Sequence, residues 1–579
     1  MSHKTLVGGT AYNITGGKSM VDGTGYSISG GKTLVNGTGY NISFGKPEAT
    51  AMLYDTGDFV FQCGSGVEDG KTLTASYTGF EDTHYGNSSN VPWNAQRANI
   101  KNVYCNEEVT PISIENWFNN CRNLISFNNT NFNINSIINM QSAYNRCYNL
   151  IGSPICGPNV TNMANIYFCC YNLIGSPVCG SSVTNMYSAY VNCRNLTGSP
   201  VCGNNVKNMY YTYYNCYNLT GSPVCGNNVT VMSGTYYNCC NLTGSPVCGS
   251  NVTNMYMAYY DCYILTGSPV CGNKVTNMCI TYNNCRNLTG SPVCGPNVTN
   301  MVSTYNGCRN LTGSPVCGNN VKNMNDTYRN CCNLTGSPVC GSNVTNMSGT
   351  YMNCYNLTGS PVCGTNVTVM NNTYYNCCNL TGSPVCGMNV TNMNAAYYNC
   401  YILTDSPVCG NKVTDIGRTY YNCCNLTGSP VCGNKVMTMY MTYSNCCNLT
   451  GSPVCGPNVT SMRQTYQNCI NLFGNAYFYA TGITDAQYCF KGKNNSRCLN
   501  LYVPSDSTTN TTVHYNNTYS LVGANITWTN AGSYQYNTTY NIYIYPVANV
   551  AEAAIANGDE EANANAGIVI DPMHSGGSV

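Results

Sequence analysis

Cysteine recurs at a fixed step through most of this chain, and that step restricts the folds available to it. Cysteines stand at fifteen positions 23 residues apart, from Cys147 to Cys469. A second series of fourteen, with the same step, extends from Cys156 to Cys455. A period of this size without slippage is typical of a solenoid, in which each repeat forms one coil stacked on the last. We therefore predict a repeat solenoid of 23-residue coils.

Within a coil, numbered from the first cysteine of the repeat, apolar residues stand at positions 1, 4, 9, 14, 17 and 21. The stretch "LTGSPVC" is short and contains Pro and Gly, and it predicts a brief strand or an extended edge. "NVTNMYYTYYNC" places Val, Met and Tyr at steps of three and four, which predicts a 3-10 or helical turn. We expect a core of stacked identical residues, represented by Cys216, Leu219, Met232, Tyr236 and Cys239.

The spacing of Cys, Leu, Val, Met and Tyr within each 23-residue repeat resembles that of the leucine-rich repeats of the BspA-like class. That class has the pattern C-x-x-L, an extended segment, V-x-x-I/M and an aromatic residue before the next cysteine. The stretch "CYNLTGSPVCGNNVTVMSGTYYN", residues 216–238, fits it, and the resemblance covers about residues 115–475. The chain departs from the class at "GSPVCG", where Leu or Ile is more frequent. The resemblance implies a leucine-rich-repeat solenoid over residues 115–475.

The open ends of a solenoid need covers. In residues 47–114, "AMLYDTGDFVFQCGSG" alternates apolar and polar residues, which predicts a β-rich N-terminal cap. Residues 476–548 contain strand-like segments and predict a β-rich C-terminal cap. Residues 549–579 are small, polar and acidic, and we expect a flexible tail in which "VAEAAIA" could form a short helix.

Residues 1–46 carry a different repeat, of 14 residues, that begins at Lys4, Lys18 and Lys32. Each unit predicts two short β segments around a glycine turn, and three such units cannot bury a core alone. They resemble glycine-rich hairpin repeats at the N-termini of virion proteins from phages of gut bacteria. The resemblance implies attachment to other virion proteins or a homo-oligomer, for which a trimer is one option. The alternative is a spacer on a cell-surface protein.

The cysteines of the inner columns are interpreted as small buried hydrophobes. Neighbours stacked about 5 Å apart could form disulfides, but no secretory signal sequence is visible, so we expect mostly free thiols. Further cysteines at position 2 should face solvent. They are Cys240, Cys332, Cys378, Cys424 and Cys447. Only Cys424 and Cys447 lie in consecutive coils, and they are the candidate surface disulfide.

The composition argues against catalysis, cofactors and metals. The four histidines (His3, His84, His514 and His574) lie outside the repeats, so the repeats offer neither a base for a cysteine nucleophile nor a histidine ligand. We therefore predict no enzyme activity, no catalytic or metal site and no cofactor. A net charge of +1 argues against nucleic-acid binding. The lack of an apolar run of about 18 residues argues against membrane insertion.

Positions 2, 18, 19 and 22 vary between coils, so the fold does not dictate their residues. They hold mainly Tyr, Arg, Asn, Ser and Gly, a composition typical of binding surfaces. The alternative is solvated filler in a chain rich in Asn and Tyr. The candidate binding face comprises Tyr214, Tyr217, Tyr237, Tyr260, Arg286, Arg309, Arg329, Tyr355 and Tyr398.

These observations predict a non-enzymatic phage virion appendage, either a fibre or a decoration protein. It would present the solenoid for adhesion to a glycan or protein of the host surface, and it would be located on the extracellular particle. One alternative is a BspA-like adhesin on a bacterial cell surface. The other is a purely structural coat or filament protein.

Overall fold

The structure, a computed structural model, describes residues 48–514, 521, 522 and 528–566, and before them six strands. The six strands pair within each 14-residue repeat into three separate antiparallel hairpins, such as the one that joins His3 to Ile14. The strands are β1 (His3–Val7), β2 (Thr10–Ile14), β3 (Lys18–Val21), β4 (Thr24–Ser27), β5 (Gly31–Val35) and β6 (Thr38–Ile42).

A five-stranded sheet precedes the coils. Its strands are β7 (Ala49–Tyr54), β8 (Asp58–Cys63), β9 (Leu73–Tyr77), β10 (Asn102–Cys105) and β11 (Ser126–Phe127), in the order β11-β10-β8-β7-β9. Two 3-10 helices, Ser88–Asn90 and Asn94–Asn99, connect β9 to β10. The strands β8, β10 and β11 are parallel, so this edge of the sheet continues into the coils. Trp93 and Trp117 fill the core beneath it, where the Trp93 indole donates to the Trp117 carbonyl at 2.7 Å.

Each coil of the array contributes one residue to a parallel β ladder. The bridges join residues 23 apart, such as Asn162 with Asn185, and the bridging residue directly precedes the buried Met of its coil. Apart from these bridges, residues 137–453 contain no strand and no helix, and a 3-10 helix, Ile134–Ser136, comes just before them. Because this regular stacking repeats from coil to coil, the chain is a repeat solenoid.

Of the two structures expected over "LTGSPVC", a brief strand or an extended edge, the strand does not form in these coils. The glycine of the segment takes a left-handed backbone, as at Gly221 with φ +83°, and the proline nitrogen cannot donate to a ladder. Only in the last repeat does part of the segment pair as a strand, β12 (Val454–Cys455).

The predicted 3-10 or helical turn is instead a succession of tight turns bonded to the next coil. In residues 209–215, alternate amides donate to carbonyls of the following coil at 2.8–3.1 Å. Between them, the Thr212 and Tyr214 amides donate three residues back, at 3.2 and 3.3 Å. The Tyr210 amide instead donates to the Asn208 side-chain oxygen at 2.9 Å. Tyr211 and Asn215 take left-handed backbones, with φ of +53° and +60°. Asparagine tolerates this conformation better than most residues, which accounts for the Asn before most of the inner cysteines.

The interior consists of columns of identical side chains. Cys216, Leu219, Met232, Tyr236 and Cys239 are all fully buried. The tyrosine rings from Tyr144 to Tyr466 stack with centroids 5.3–5.7 Å apart. Aromatic rings extend the column at both ends, Phe118 at 5.6 Å and Phe490 at 5.4 Å.

The tyrosine hydroxyls brace each coil across its width. Tyr236 donates to the Val224 carbonyl at 2.6 Å and accepts from the Val224 amide at 2.9 Å. The Tyr144 hydroxyl is buried and has no hydrogen-bond partner in the described structure. Its coil, which extends 26 residues from Cys121 to Cys147, lacks the "GSPVC" segment that supplies the partner elsewhere.

A six-stranded sheet follows the coils. Its strands are β12, β13 (Gly474–Phe478), β14 (Leu499–Pro504), β15 (Thr529–Asn530), β16 (Gln535–Asn537) and β17 (Ile542–Val547), in the order β12-β13-β14-β17-β16-β15. The first four in this order are parallel, so they continue the direction of the coils. Three helices accompany the sheet: α1 (Thr508–His514), α2 (Val550–Ala556) and α3 (Glu560–Asn565).

The expectation of a flexible tail is wrong for residues 549–566. Helices α2 and α3 pack on the C-terminal sheet, where Ala554 and Ala562 are buried in one cluster with Tyr477 and Tyr479. Small alanine side chains allow the helices to lie close to the tyrosine rings. The Tyr479 hydroxyl donates to the Asn563 amide oxygen at 2.6 Å. Residues 567–579 lie outside the described residues.

The hydroxyl brace makes a testable prediction about stability. Tyr236→Phe should lower the free energy of unfolding by about 1–3 kcal/mol, because it leaves the Val224 amide and carbonyl without their partner. Tyr144→Phe is the matched control and should be neutral or slightly stabilising, since that hydroxyl has no partner to lose. Urea unfolding followed by circular dichroism measures both, and equal effects of the two substitutions would contradict the brace.

Candidate binding surface

The nine residues of the predicted binding face all reach solvent. Arg286, Arg309 and Tyr355 are exposed, and the other six are half-buried. Arg329 forms an ion pair with Asp326 at 3.5 Å, so its charge is already partnered. The face therefore carries aromatic and cationic groups, but these do not gather into one site.

Tyrosines at position 22 form two short outer columns. Tyr214, Tyr237 and Tyr260 stack with centroids 4.4 and 4.5 Å apart. Tyr375, Tyr398 and Tyr421 repeat this at 4.5 and 4.6 Å. Because the rings lie face to face, the column covers its internal faces, and only a terminal ring can offer a face to a ligand.

The candidate set omitted Tyr375 and Tyr421, although both occupy the same repeat position as Tyr398. Alignment of the coils by position is the signal that finds them. Tyr440, at position 18, was also omitted. In the structure it lines the same cleft as Tyr375, Tyr398 and Tyr421. The repeat spacing alone does not indicate that positions 18 and 22 share a cleft.

At position 2, arginines lie over tyrosine rings of neighbouring coils. The Arg286 guanidinium is 4.9 Å from the centroid of Tyr263. Arg194 lies between Tyr171, at 5.0 Å, and Tyr217, at 5.9 Å. Exposed cation–π contacts of this kind contribute about 0.5–1 kcal/mol each. They hold long side chains in defined positions on the surface, which lowers the entropy lost when such a surface binds a partner.

The second tyrosine column borders a cleft of about 300 Å³. Ala395 is a buried residue of its lining, and Asn372, Arg418 and Met441 occupy the same repeat position in neighbouring coils. All four residues line the cleft. Alanine is the smallest of them, so the hollow lies where this column of side chains is interrupted.

Arg418 supplies the positive charge of the cleft. Its guanidinium is 5.0 Å from the centroid of Tyr440, and its side chain is exposed. The ion pairs among the described residues belong to Lys71 and Arg329, so Arg418 has no acidic partner there. The nearby Asp415 carboxylate instead accepts from the Gly417 amide at 2.8 Å and from the Asn394 side chain at 3.2 Å.

The solenoid cysteines are thiols, and many of them act as hydrogen-bond donors. The Cys216 Sγ lies 3.0 Å from the Tyr190 carbonyl, and the Cys239 Sγ lies 3.1 Å from the Tyr213 carbonyl. Burial raises the pKa of Cys216, and it raises the pKa of Cys225 to about 12. Protonated, buried thiols are poor nucleophiles, so the columns are suited to packing rather than to chemistry.

The candidate surface pair, Cys424 and Cys447, is also reduced in this structure. Both thiols are half-buried, and their Sγ atoms lie 3.4 and 3.5 Å from the same carbonyl, that of Asn445. The two sulfurs are therefore neighbours, and the disulfide stays a prediction.

The described part of the chain has neither a cluster of metal-binding side chains nor a membrane-spanning helix. No group of three or more His, Cys, Asp or Glu side chains converges there as it would around a metal ion. No helix in the same residues has the length and apolar character needed to cross a bilayer.

Comparison with known proteins adds little to this description. No protein-family model matches the chain, and no curated protein matches it. Among solved structures, the chain is similar to a leucine-rich repeat protein from Eubacterium ventriosum, at 12% identity over 77% of this chain and 93% of that one. The TM-score is 0.22, which is too low to support a shared detailed geometry. The solenoid assignment therefore rests on the hydrogen-bonded coils themselves.

The burial of the thiols predicts a sharp pattern of alkylation. At pH 8, iodoacetamide should modify the exposed Cys498 at least tenfold faster than Cys216 or Cys239, because the latter two have raised pKa values and no access to solvent. After unfolding in urea without reductant, all three should react alike. Peptide mass spectrometry measures each site. Inner cysteines that resist alkylation until they are reduced would show disulfides in the columns.

Proposed function

We propose that this chain is a non-enzymatic adhesion protein whose solenoid binds a glycan or protein of a host surface. The observation that carries the proposal is the division of each coil into two sets of positions. Positions 1, 4, 14, 17 and 21 are buried and nearly uniform from coil to coil, whereas position 2 and most copies of position 22 reach the surface and vary. A scaffold with a uniform interior and a varied outer surface is suited to recognition.

The chemistry of the varied positions supports binding rather than solvation alone. Tyr and Arg are, with Trp, the residues that most often contribute large shares of the affinity in protein interfaces. Here the rings are held in stacks, and several arginines lie over rings, so these side chains are ordered before a partner arrives. Preorganisation of this kind raises affinity because less conformational entropy is lost on binding.

We further propose that the protein is an appendage of a phage virion, either a fibre or a decoration protein. The three N-terminal hairpins support this, because each has only two strands and needs a partner surface to be stable. They would attach the solenoid to other virion proteins or assemble a homo-oligomer, with a trimer as one option. A bacterial cell-surface adhesin and a purely structural coat protein are the alternatives that the following tests separate.

Location is tested by mass spectrometry of density-purified particles and of washed cell envelopes from the producing culture. We expect peptides of this chain in the particles and at least tenfold fewer in the envelopes. Enrichment in the envelopes would overturn the virion assignment and favour the cell-surface adhesin.

Adhesion is tested with purified protein on host cells. A triple variant, Arg286→Asn, Arg309→Asn and Tyr355→Asn, changes three exposed residues to one that is frequent on this surface. It should keep the thermal midpoint of the parent and bind at least tenfold more weakly. The matched control changes three exposed asparagines at position 3, Asn287, Asn310 and Asn356, to Gln and should bind normally. Undiminished binding by the first variant would show that these residues are filler. Absence of any binding by the parent would favour a structural protein.

A further inference from the structure

The cleft beside Tyr375, Tyr398 and Tyr421 combines three features that together suit one class of ligand. It has a hollow of about 300 Å³, near the lower end of the range for small-ligand pockets. Tyrosine rings and hydroxyls form one wall, and the side chains of Asn372 and Asn394 add amides. Arg418 contributes a cation without an acidic partner among the described residues.

The aromatic wall suits a sugar ring. The two columns of stacked tyrosines end where position 22 changes, and the residue that follows Tyr421 at this position is Ser444. One face of Tyr421 is therefore not covered by another ring of its column. Sugars pack their apolar C–H faces on such rings, and their hydroxyls pair with amides and phenols, which donate and accept.

The cation suits an anionic group on that sugar. The Arg418 guanidinium presents a planar set of N–H donors, which matches the oxygens of a carboxylate or sulfate. Its position over Tyr440 limits the conformations that it can adopt. Arg418 also acts on the tyrosine wall electrostatically. Burial raises the pKa of Tyr398, and the positive charge of Arg418 partly offsets that rise. The cation and the aromatic wall are therefore close enough to contact one small ligand.

The first tyrosine column shows that these features do not accompany every stack. There, position 19 is Tyr211, whose ring lies 5.0 Å from that of Tyr214 and covers Gly234. The nearby charged group is Asp261, which contributes to the raised pKa of Tyr237. A column whose hollow is already filled leaves no room for a ligand.

We propose that the cleft lined by Ala395, Arg418, Tyr421 and Tyr440 binds an acidic saccharide, one that carries a carboxylate or a sulfate on a pyranose ring. This inference rests on the proposed adhesion function and specifies its ligand class. The Arg418 guanidinium binds the anion, the Tyr421 ring packs against the sugar ring, and the Asn372 amide pairs with its hydroxyls.

The test is calorimetric titration of the full chain with three tetrasaccharides: hyaluronan, which carries carboxylates, chondroitin sulfate, which also carries sulfates, and neutral chitotetraose. We expect both acidic probes to bind at least tenfold more tightly than the neutral one, and to bind more weakly in 0.5 M salt than in 0.05 M salt because screening weakens the contact with Arg418. Equal binding of the neutral probe would overturn the proposal.

Two variants locate the site. Arg418→Gln should weaken acidic-probe binding about 10- to 100-fold, as expected for loss of a charged hydrogen bond. Ala395→Tyr should abolish binding by filling the hollow. This variant should fold, because tyrosine already occupies the same repeat position as Tyr211, with φ +53° against +52° at Ala395. Circular dichroism and the thermal midpoint check that both variants are folded.

Arg122→Gln is the matched control, since Arg122 is an exposed arginine over a tyrosine, Tyr148 at 5.6 Å, in a distant coil. It should bind the acidic probes like the parent, and an equal loss in this variant would show only a general charge effect and would overturn the site. If Arg418→Gln loses saccharide binding but the parent never binds host cells, the adhesion function fails while the site stands. If the parent binds host cells and no acidic probe, the inference alone fails.

Discussion

The hydroxyl of the inner tyrosine is the contact on which each coil depends. One side of a coil is tied to its neighbours by several backbone hydrogen bonds, in residues such as 209–215. The opposite "GSPVC" side has no strand pairing in most coils, because its glycine and proline do not support a ladder. Tyr236 spans the interior and bonds both the amide and the carbonyl of Val224. Without such a brace, this side would carry unpaired peptide groups against an apolar core.

This constraint explains why the interior is uniform. The tyrosine must reach across the coil, so the residues beside it must leave a channel of constant width. Cys216 and Leu219 fill the remaining space, and the thiol also donates to a carbonyl of an adjacent coil. A larger aliphatic residue at the cysteine would lose that hydrogen bond and crowd the column. The side chains at the outer positions contribute little to this core, so their residue types can vary from coil to coil.

The sequence predicted the buried columns and the solenoid because identical residues at a constant step must stack. It did not predict the local backbone. "LTGSPVC" has strand-like composition at Val and Cys, but Gly221 requires a left-handed φ that ends an extended segment. The helices over residues 550–565 were underestimated because their alanines carry little hydrophobic signal, although they pack closely on Tyr477 and Tyr479. Composition alone cannot reveal this contact, since the two segments are about 80 residues apart.

The candidate cleft was missed for a related reason. A search for binding residues looks for prominent side chains such as Tyr398, whereas the hollow exists because Ala395 is small. In a stack, each ring covers the next, so a perfectly regular surface would hide most of its aromatic area. Recognition then depends on interruptions: a column that ends at Tyr421, an alanine between larger residues, an arginine without a carboxylate. At the regular positions, every coil of the solenoid offers a ligand the same contacts. Only where a coil departs from the repeat can the surface bind one ligand at one place and discriminate against others.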